Sequence, residues 1–173
     1  MKQNLLLMLL LVFVYTGSFA QASRENGTIV VNDMKSILYP EGIARQAASS
    51  SAFDVTRLRD LVGEVQSSMY FYGSEVKTYG DVPTNLFTDL SSLNLVNNSI
   101  TMKQNVEIVT VRIKTASELN STIDLAVFSN FPNLKYIYFI SALNTTSANI
   151  ASRISNYDRR FNIFYKIENG DGN

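Results

Sequence analysis

The chain has 173 residues and balances 15 lysines and arginines against 15 aspartates and glutamates, so it carries no strong field that would draw it to nucleic acid or to an anionic membrane surface. It contains no histidine and no cysteine. This excludes a Ser-His-Asp triad, imidazole metal sites, thiol nucleophiles, thiolate zinc and iron–sulfur ligation, and any disulfide framework, so stability must come from packing.

The first residues read as an export signal. Met1-Lys2 is a short basic start, residues 5–15 are an almost unbroken apolar run, and residues 16–22 supply small residues at cleavage spacing, ending at Ala20 or Ala22. This is the layout of a secretory signal peptide of bacterial type over residues 1–22. The apolar run is shorter than the roughly 20 residues a membrane span needs, and no basic stop-transfer cluster follows. The reading predicts a secreted or periplasmic product with no integral membrane segment after cleavage. Loss of Lys2 with the leader leaves one more acid than base. Residues 23–173 have the length of a single domain, with a frayed tail from about residue 168. The Asn-x-Ser/Thr triplets at Asn26, Asn97, Asn120 and Asn144 are what a chain so rich in Asn, Ser and Thr yields by chance.

Residues 27–31 read as an edge strand and 44–51 as a loop. Residues 53–67 read as a helix: Val55, Leu58, Leu61, Val62 and Val65 share one face, and Ser51 and Asp54 are placed as caps. Residues 69–72 read as a strand, Gly73-Ser74 as a turn and 75–79 as the hairpin partner. Pro83 is placed to open a short helix through Leu86, Phe87 and Leu90. The β-branched run 106–113 is a strand. Thr115 and Glu118 form a capping box, after which Leu119, Ile123, Ala126, Val127 and Phe131 recur at helical spacing up to Pro132. A strand at 134–140 follows, then caps at Asn144, Thr145 and Thr146, a helical stripe of Ile150, Ile154, Tyr157 and Phe161, and a strand at 162–167. Strands joined by helical crossovers are parallel neighbours. The pattern therefore predicts an α/β fold, a single domain with a βαβαβ parallel sheet over 106–167.

Residues 90–100, LSSLNLVNNSI, fit L-x-x-L-x-L-x-x-N-x-L at every position, and 131–139, FPNLKYIYF, has the form of a helix-to-strand junction. On these segments the region 90–167 resembles leucine-rich repeat proteins, and strand starts 27 or 28 residues apart fall within that family's period. The resemblance implies a short solenoid that presents its sheet face to a protein ligand. The chain departs from the pattern where Leu90 and Val106 are only 16 residues apart, and where Lys114 and Ala142 replace the turn asparagine. An irregular parallel α/β sheet is the alternative.

No G-x-G-x-x-G and no Gly-Lys-Ser/Thr occur, so nucleotide chemistry has no support, and no cofactor or metal is implied. The carboxylates Asp54, Asp60, Glu64, Glu75, Asp81 and Asp89 show no distinctive spacing; Asp60 and Glu64 read as a solvated helix face. The late strands carry the candidate site. Laid side by side at the repeat spacing, they place Thr110, Arg112, Tyr136, Tyr138 and Tyr165 on one face, and Val109, Val111, Ile137, Phe139 and Phe164 on the other. Tyrosine with arginine is the composition of protein-binding hot spots. The opposing reading packs these tyrosines beneath another layer, because parallel sheets are usually covered on both sides. The sequence thus predicts an exported, non-catalytic protein-interaction module of the bacterial envelope or exterior. A carboxylate-dependent hydrolase of glycan or peptide and a self-assembling structural component of the envelope remain open.

Overall fold

The structure is a computed structural model that describes residues 28–39 and 53–168. The leader 1–22, the segment 44–51 and the end of the tail, 169–173, lie outside the described residues.

The strands are β1 (Val31–Asp33), β2 (Ser68–Tyr72), β3 (Glu75–Tyr79), β4 (Asn85–Asp89), β5 (Ile108–Ile113), β6 (Ile123–Asp124), β7 (Tyr136–Ser141), β8 (Ile154–Ser155) and β9 (Asn162–Ile167). The helices are α1 (Met34–Leu38), α2 (Val55–Gly63), α3 (Val96–Ser99), α4 (Ala116–Leu119) and α5 (Ser147–Arg153). Among the described residues, seven strands form one sheet in the order β1-β9-β7-β5-β4-β2-β3. Every neighbouring pair is parallel except the β2–β3 hairpin at one edge. The result is a mixed α/β body on a mostly parallel sheet.

From β2 through β4, β5 and β7 to β9, each new strand joins the same side of the one before it. The three connections from β4 to β5, β5 to β7 and β7 to β9 gather on one face of the sheet, here the back, whereas β2 reaches β4 through β3, which lies in the sheet itself. Leu93, Val96 and Ile100 from the first, Leu119, Phe128 and Phe131 from the second, and Ile150 and Phe161 from the third share one core with Phe71, Leu86, Val109, Val111, Ile137 and Phe139. The short strands β6 and β8 pair with each other outside the main sheet. On the front face, Met34 and Leu38 of α1 and Leu58 and Leu61 of α2 pack with Ile108, Tyr136, Tyr138 and Phe164 in a second core. Leu58 and Leu61 are almost wholly buried, and each such side chain contributes about 2 kcal/mol by leaving water.

Local chemistry explains where elements stop. The Thr115 capping box forms as predicted: the Glu118 amide donates to Thr115 Oγ1 at 3.2 Å, and the Thr115 amide donates to the Glu118 carboxylate at 3.1 Å. The helix predicted up to Phe131 nevertheless ends after one turn. Asn120 Nδ2 and Ser121 Oγ donate to the carbonyls of Ala116 and Glu118, closing the turn from its own side chains. Asp124 then caps a separate 3-10 turn, Leu125–Phe128. The stripe from Ile150 to Phe161 is likewise divided: Thr146 caps α5, Ile154 enters β8, and Asn156 takes the left-handed backbone at φ +52°.

Two readings of the middle of the chain are corrected. Pro83 precedes β4 rather than a helix, because residues 85–89 are held as a strand between β2 and β5. The segment 90–100 contains no strand: Leu93–Leu95 is a 3-10 turn and Val96–Ser99 is α3. Its Leu90, Leu93, Val96 and Ile100 enter the back core at helical spacing, while Leu95 stays exposed.

Candidate binding face

Of the predicted row, Thr110, Tyr136 and Tyr138 share the front face, since Ile108 pairs with Tyr136 and Thr110 with Tyr138. Tyr165 does not join them. The step from β7 to β9 pairs Tyr136 with Asn162 and Phe139 with Tyr165, one residue off the predicted register. With a side-chain period of two, that slip turns Tyr165 to the back face, where it packs half-buried against the main core, and brings Phe164 to the front.

The expected exposed row is not formed, because helices roof it. Tyr136, Tyr138 and Thr110 are buried beneath the layer that α1 and α2 contribute. The Tyr136 hydroxyl donates to the Asp54 carbonyl at 3.1 Å, and the Asp54 carboxylate accepts the Arg57 amide to cap α2. The Arg57 guanidinium donates twice to the Glu107 carboxylate, at 3.1 and 2.6 Å, and Asn85 Nδ2 donates to the Leu61 carbonyl at 2.7 Å. Both ends of α2 are therefore tied to the sheet by polar contacts. Burial pushes the Tyr138 phenol up to about 12 and raises that of Tyr136. Arg112 remains at the surface, its Nη1 donating to the Glu168 carboxylate at 3.1 Å.

The roof covers β5, β7 and β9 but leaves the other half of the front face open. The pairing of β2 with β3 and β4 places Tyr70, Tyr72, Lys77, Tyr79 and Phe87 on that half. The Tyr70 ring lies between two others: it stacks on Phe87 at 4.9 Å and 13°, and meets Tyr79 edge-on at 5.6 Å and 88°. Such pairs contribute about 1 kcal/mol each beyond burial, so the rings hold one another in place. Tyr79 is 61% exposed and Tyr70 is 36% exposed. Ser68, Tyr70, Tyr72 and Tyr79, with Val65 and Lys77, line a groove of about 530 Å³.

One border of this face is fixed by charge. Lys114 Nζ lies 5.4 Å from the centre of the Tyr72 ring and donates to the Asp89 carboxylate at 2.7 Å. Asp89 also accepts from Ser91 Oγ at 2.8 Å and from the Ser92 amide at 3.0 Å. Burial pushes the Asp89 carboxyl up, but the hydrogen bonds from Lys114, Ser92 and Ser91 outweigh it and bring it down to about 2. The same contact raises Lys114, and burial raises the phenol of Tyr72. A carboxylate held this low is neither a proton donor nor an effective base near neutrality. The arrangement offers a rigid aromatic platform rimmed by Lys77, Lys114 and Arg112.

Sequence reasoning set the exposed tyrosine row on β5, β7 and β9, whereas the exposed tyrosines of the front face lie on β2 and β3. It assigned Phe87 to a helix, so the alternation Asn85, Phe87, Asp89 was not set beside Ser68, Tyr70, Tyr72. Read as a strand, 85–89 would have shown the aromatic pair. Among the described residues, no group of three or more acidic side chains could hold a metal ion, and no helix is long and apolar enough to cross a membrane. Comparison of the chain with protein-family models, with curated proteins and with solved structures finds no match in any of the three.

Proposed function

We propose that this chain is an exported, non-catalytic protein-interaction module, and that the open half of its front face is the binding surface. The observation that carries the reading is the ordered ring cluster Tyr79–Tyr70–Phe87, left uncovered beside a roofed half of the same sheet. Buried apolar faces need no explanation, whereas a contiguous exposed aromatic one marks an interaction site. Tyrosine and arginine at such a face supply area at low entropic cost and directional donors, the chemistry of protein hot spots. Arg112 of the original row keeps its place at the rim; Tyr70, Tyr72, Tyr79 and Phe87 replace Tyr136, Tyr138 and Tyr165. Export rests on the leader-like residues 1–22, and it sets the partner outside the cytoplasm, in the bacterial envelope or beyond.

The winding supports the finer reading of the fold as a short, irregular array of the leucine-rich-repeat kind. From β4 to β9 successive strands add in one direction with their returns on one face, and arrays of that kind present the strand face to a protein ligand. A hydrolase draws less support, since Asp89 at the border of this face is taken up by hydrogen bonds from Lys114, Ser91 and Ser92.

The test places a photo-crosslinking residue at Tyr79 in the expressing cell and measures the affinity of the captured protein for wild type, Tyr70→Ala and Tyr79→Ala. Each alanine variant is expected to weaken binding about 30-fold while the fold is kept, as for a central aromatic anchor. A partner that binds all three forms equally removes this face from the reading.

A further inference from the structure

The two edges of the sheet are built differently. β1 spans three residues and runs straight into α1, whose first turn is capped by Asp33 through the Ser36 amide at 3.1 Å. That edge is short and blocked at one end, as natural edges usually are. β3 is a regular five-residue strand, every residue of it exposed, with no proline and an uninterrupted register against β2. It presents a row of backbone donors and acceptors to solvent.

The hairpin decides which groups face outward. Tyr72 pairs with Glu75 across Gly73-Ser74, and Gly73 alone of the two takes a positive φ, +67°, the II′ arrangement. The closing pair of a two-residue hairpin exchanges both backbone hydrogen bonds, and the pattern alternates from there. Glu75, Lys77 and Tyr79 therefore direct their amides and carbonyls to β2, while Val76 and Thr78 direct theirs outward.

We propose that β3 is a self-association edge, on which two copies of this chain pair their β3 strands antiparallel about a twofold axis at Val76. In that register Val76 exchanges both backbone hydrogen bonds with its counterpart. Glu75 then stands opposite Lys77 of the other copy and Lys77 opposite Glu75, both at the closer, non-hydrogen-bonded spacing. The neighbouring registers are penalised by charge: a twofold at Lys77 sets lysine against lysine, and one at Thr78 sets Glu75 against Asp81. The strand is thus self-complementary in one register, the requirement of an isologous interface. Val76, 39% exposed in the single chain, meets its own copy on the back face. The assembly joins two sheets into one and leaves the aromatic groove open on the front of each half, so the proposal does not rest on what that groove binds.

The charges supply a test that separates intermolecular pairing from any change within one strand. Sedimentation of purified wild type should show a concentration-dependent dimer. Glu75→Lys faces lysine with lysine twice, and Lys77→Glu faces glutamate with glutamate twice, so each variant alone should dimerise about tenfold more weakly while keeping its circular dichroism. Mixed in equal amounts, these two variants should form a heterodimer of near wild-type affinity, because both cross-strand pairs are then opposite in sign. A wild type that stays monomeric up to about 1 mM overturns the proposal and leaves the edge to a foreign extended peptide. A dimer unchanged in both single variants, or variants that fail to complement when mixed, overturns it as well.

Discussion

Asp89 shows how one side chain fixes a corner of the face. It closes the turn after β4 through Ser91 and Ser92 and anchors Lys114 beside the Tyr72 ring. Its carboxyl is depressed from 3.8 to about 2. The stabilisation it gives is therefore complete above about pH 4 and is lost as the pH falls through about 2, because the unfolded chain takes up the proton first. Asp89→Asn is expected to lose about 2 kcal/mol at neutral pH and to show a flatter stability profile between pH 4 and 2, converging on wild type at the acid end. Denaturant melts at stepped pH check this; parallel profiles for the two proteins would contradict the assigned bonds.

At the scale of elements, the β2–β3 hairpin is set by its glycines. Gly73 has φ +67° with open space at its side-chain position, whereas Gly80, at φ +82°, would drive a Cβ into Ser67 Oγ and to 2.8 Å from Ser67 Cβ. Gly73→Ala should cost about 1 kcal/mol, the backbone penalty alone, and Gly80→Ala about 3 kcal/mol, strain plus collision, in urea unfolding. Elements with a signal inside their own residues were legible: the hairpin, the three late strands, the Thr115 capping box and α2, although α2 stops at Gly63 instead of reaching 67 and leaves Val62 and Val65 exposed. Those decided by distant partners were not. Residues 85–89 are a strand because β2 and β5 flank them, and Pro83 gave the opposite cue. The periodicity of 119–131 and 150–161 reported burial in part: Leu119, Ile123, Phe131, Ile150 and Phe161 are core, but Ala126 of the predicted stripe is exposed, and Leu125 and Phe128, outside it, are buried. It did not report that Asn120 and Ser121 close the first stretch after one turn and that Asn156 interrupts the second.

For the whole molecule, the front face is half roof and half platform, and the roof is what the late strands could not reveal. Alternation identified Thr110, Tyr136 and Tyr138 as a shared face, but whether such a face meets solvent depends on α1 and α2, which lie far away in sequence. The platform also depends on the roof's end, where Asn85 of β4 holds the last turn of α2. Leu58→Ala should cost about 3 kcal/mol by opening a void between α2 and the sheet. In hydrogen exchange, amides of α2 should open earlier in that variant while those of β5 and β7 keep their order relative to one another; uniform loss of protection would mean the roof and sheet unfold as one unit.

The pairing of β1 with β9 gives the chain a late closure. The first described strand has as its neighbour in the sheet the final one, Val31 lying beside Ile163. Strands from β2 onward can assemble one after another as the polypeptide lengthens, yet β1 has nowhere to dock until residue 163 and its neighbours have been made and delivered. A product truncated before β9 would strand its own beginning and, with it, part of the roof that α1 provides. The sheet thus gains its β1 edge only after β9 has been made.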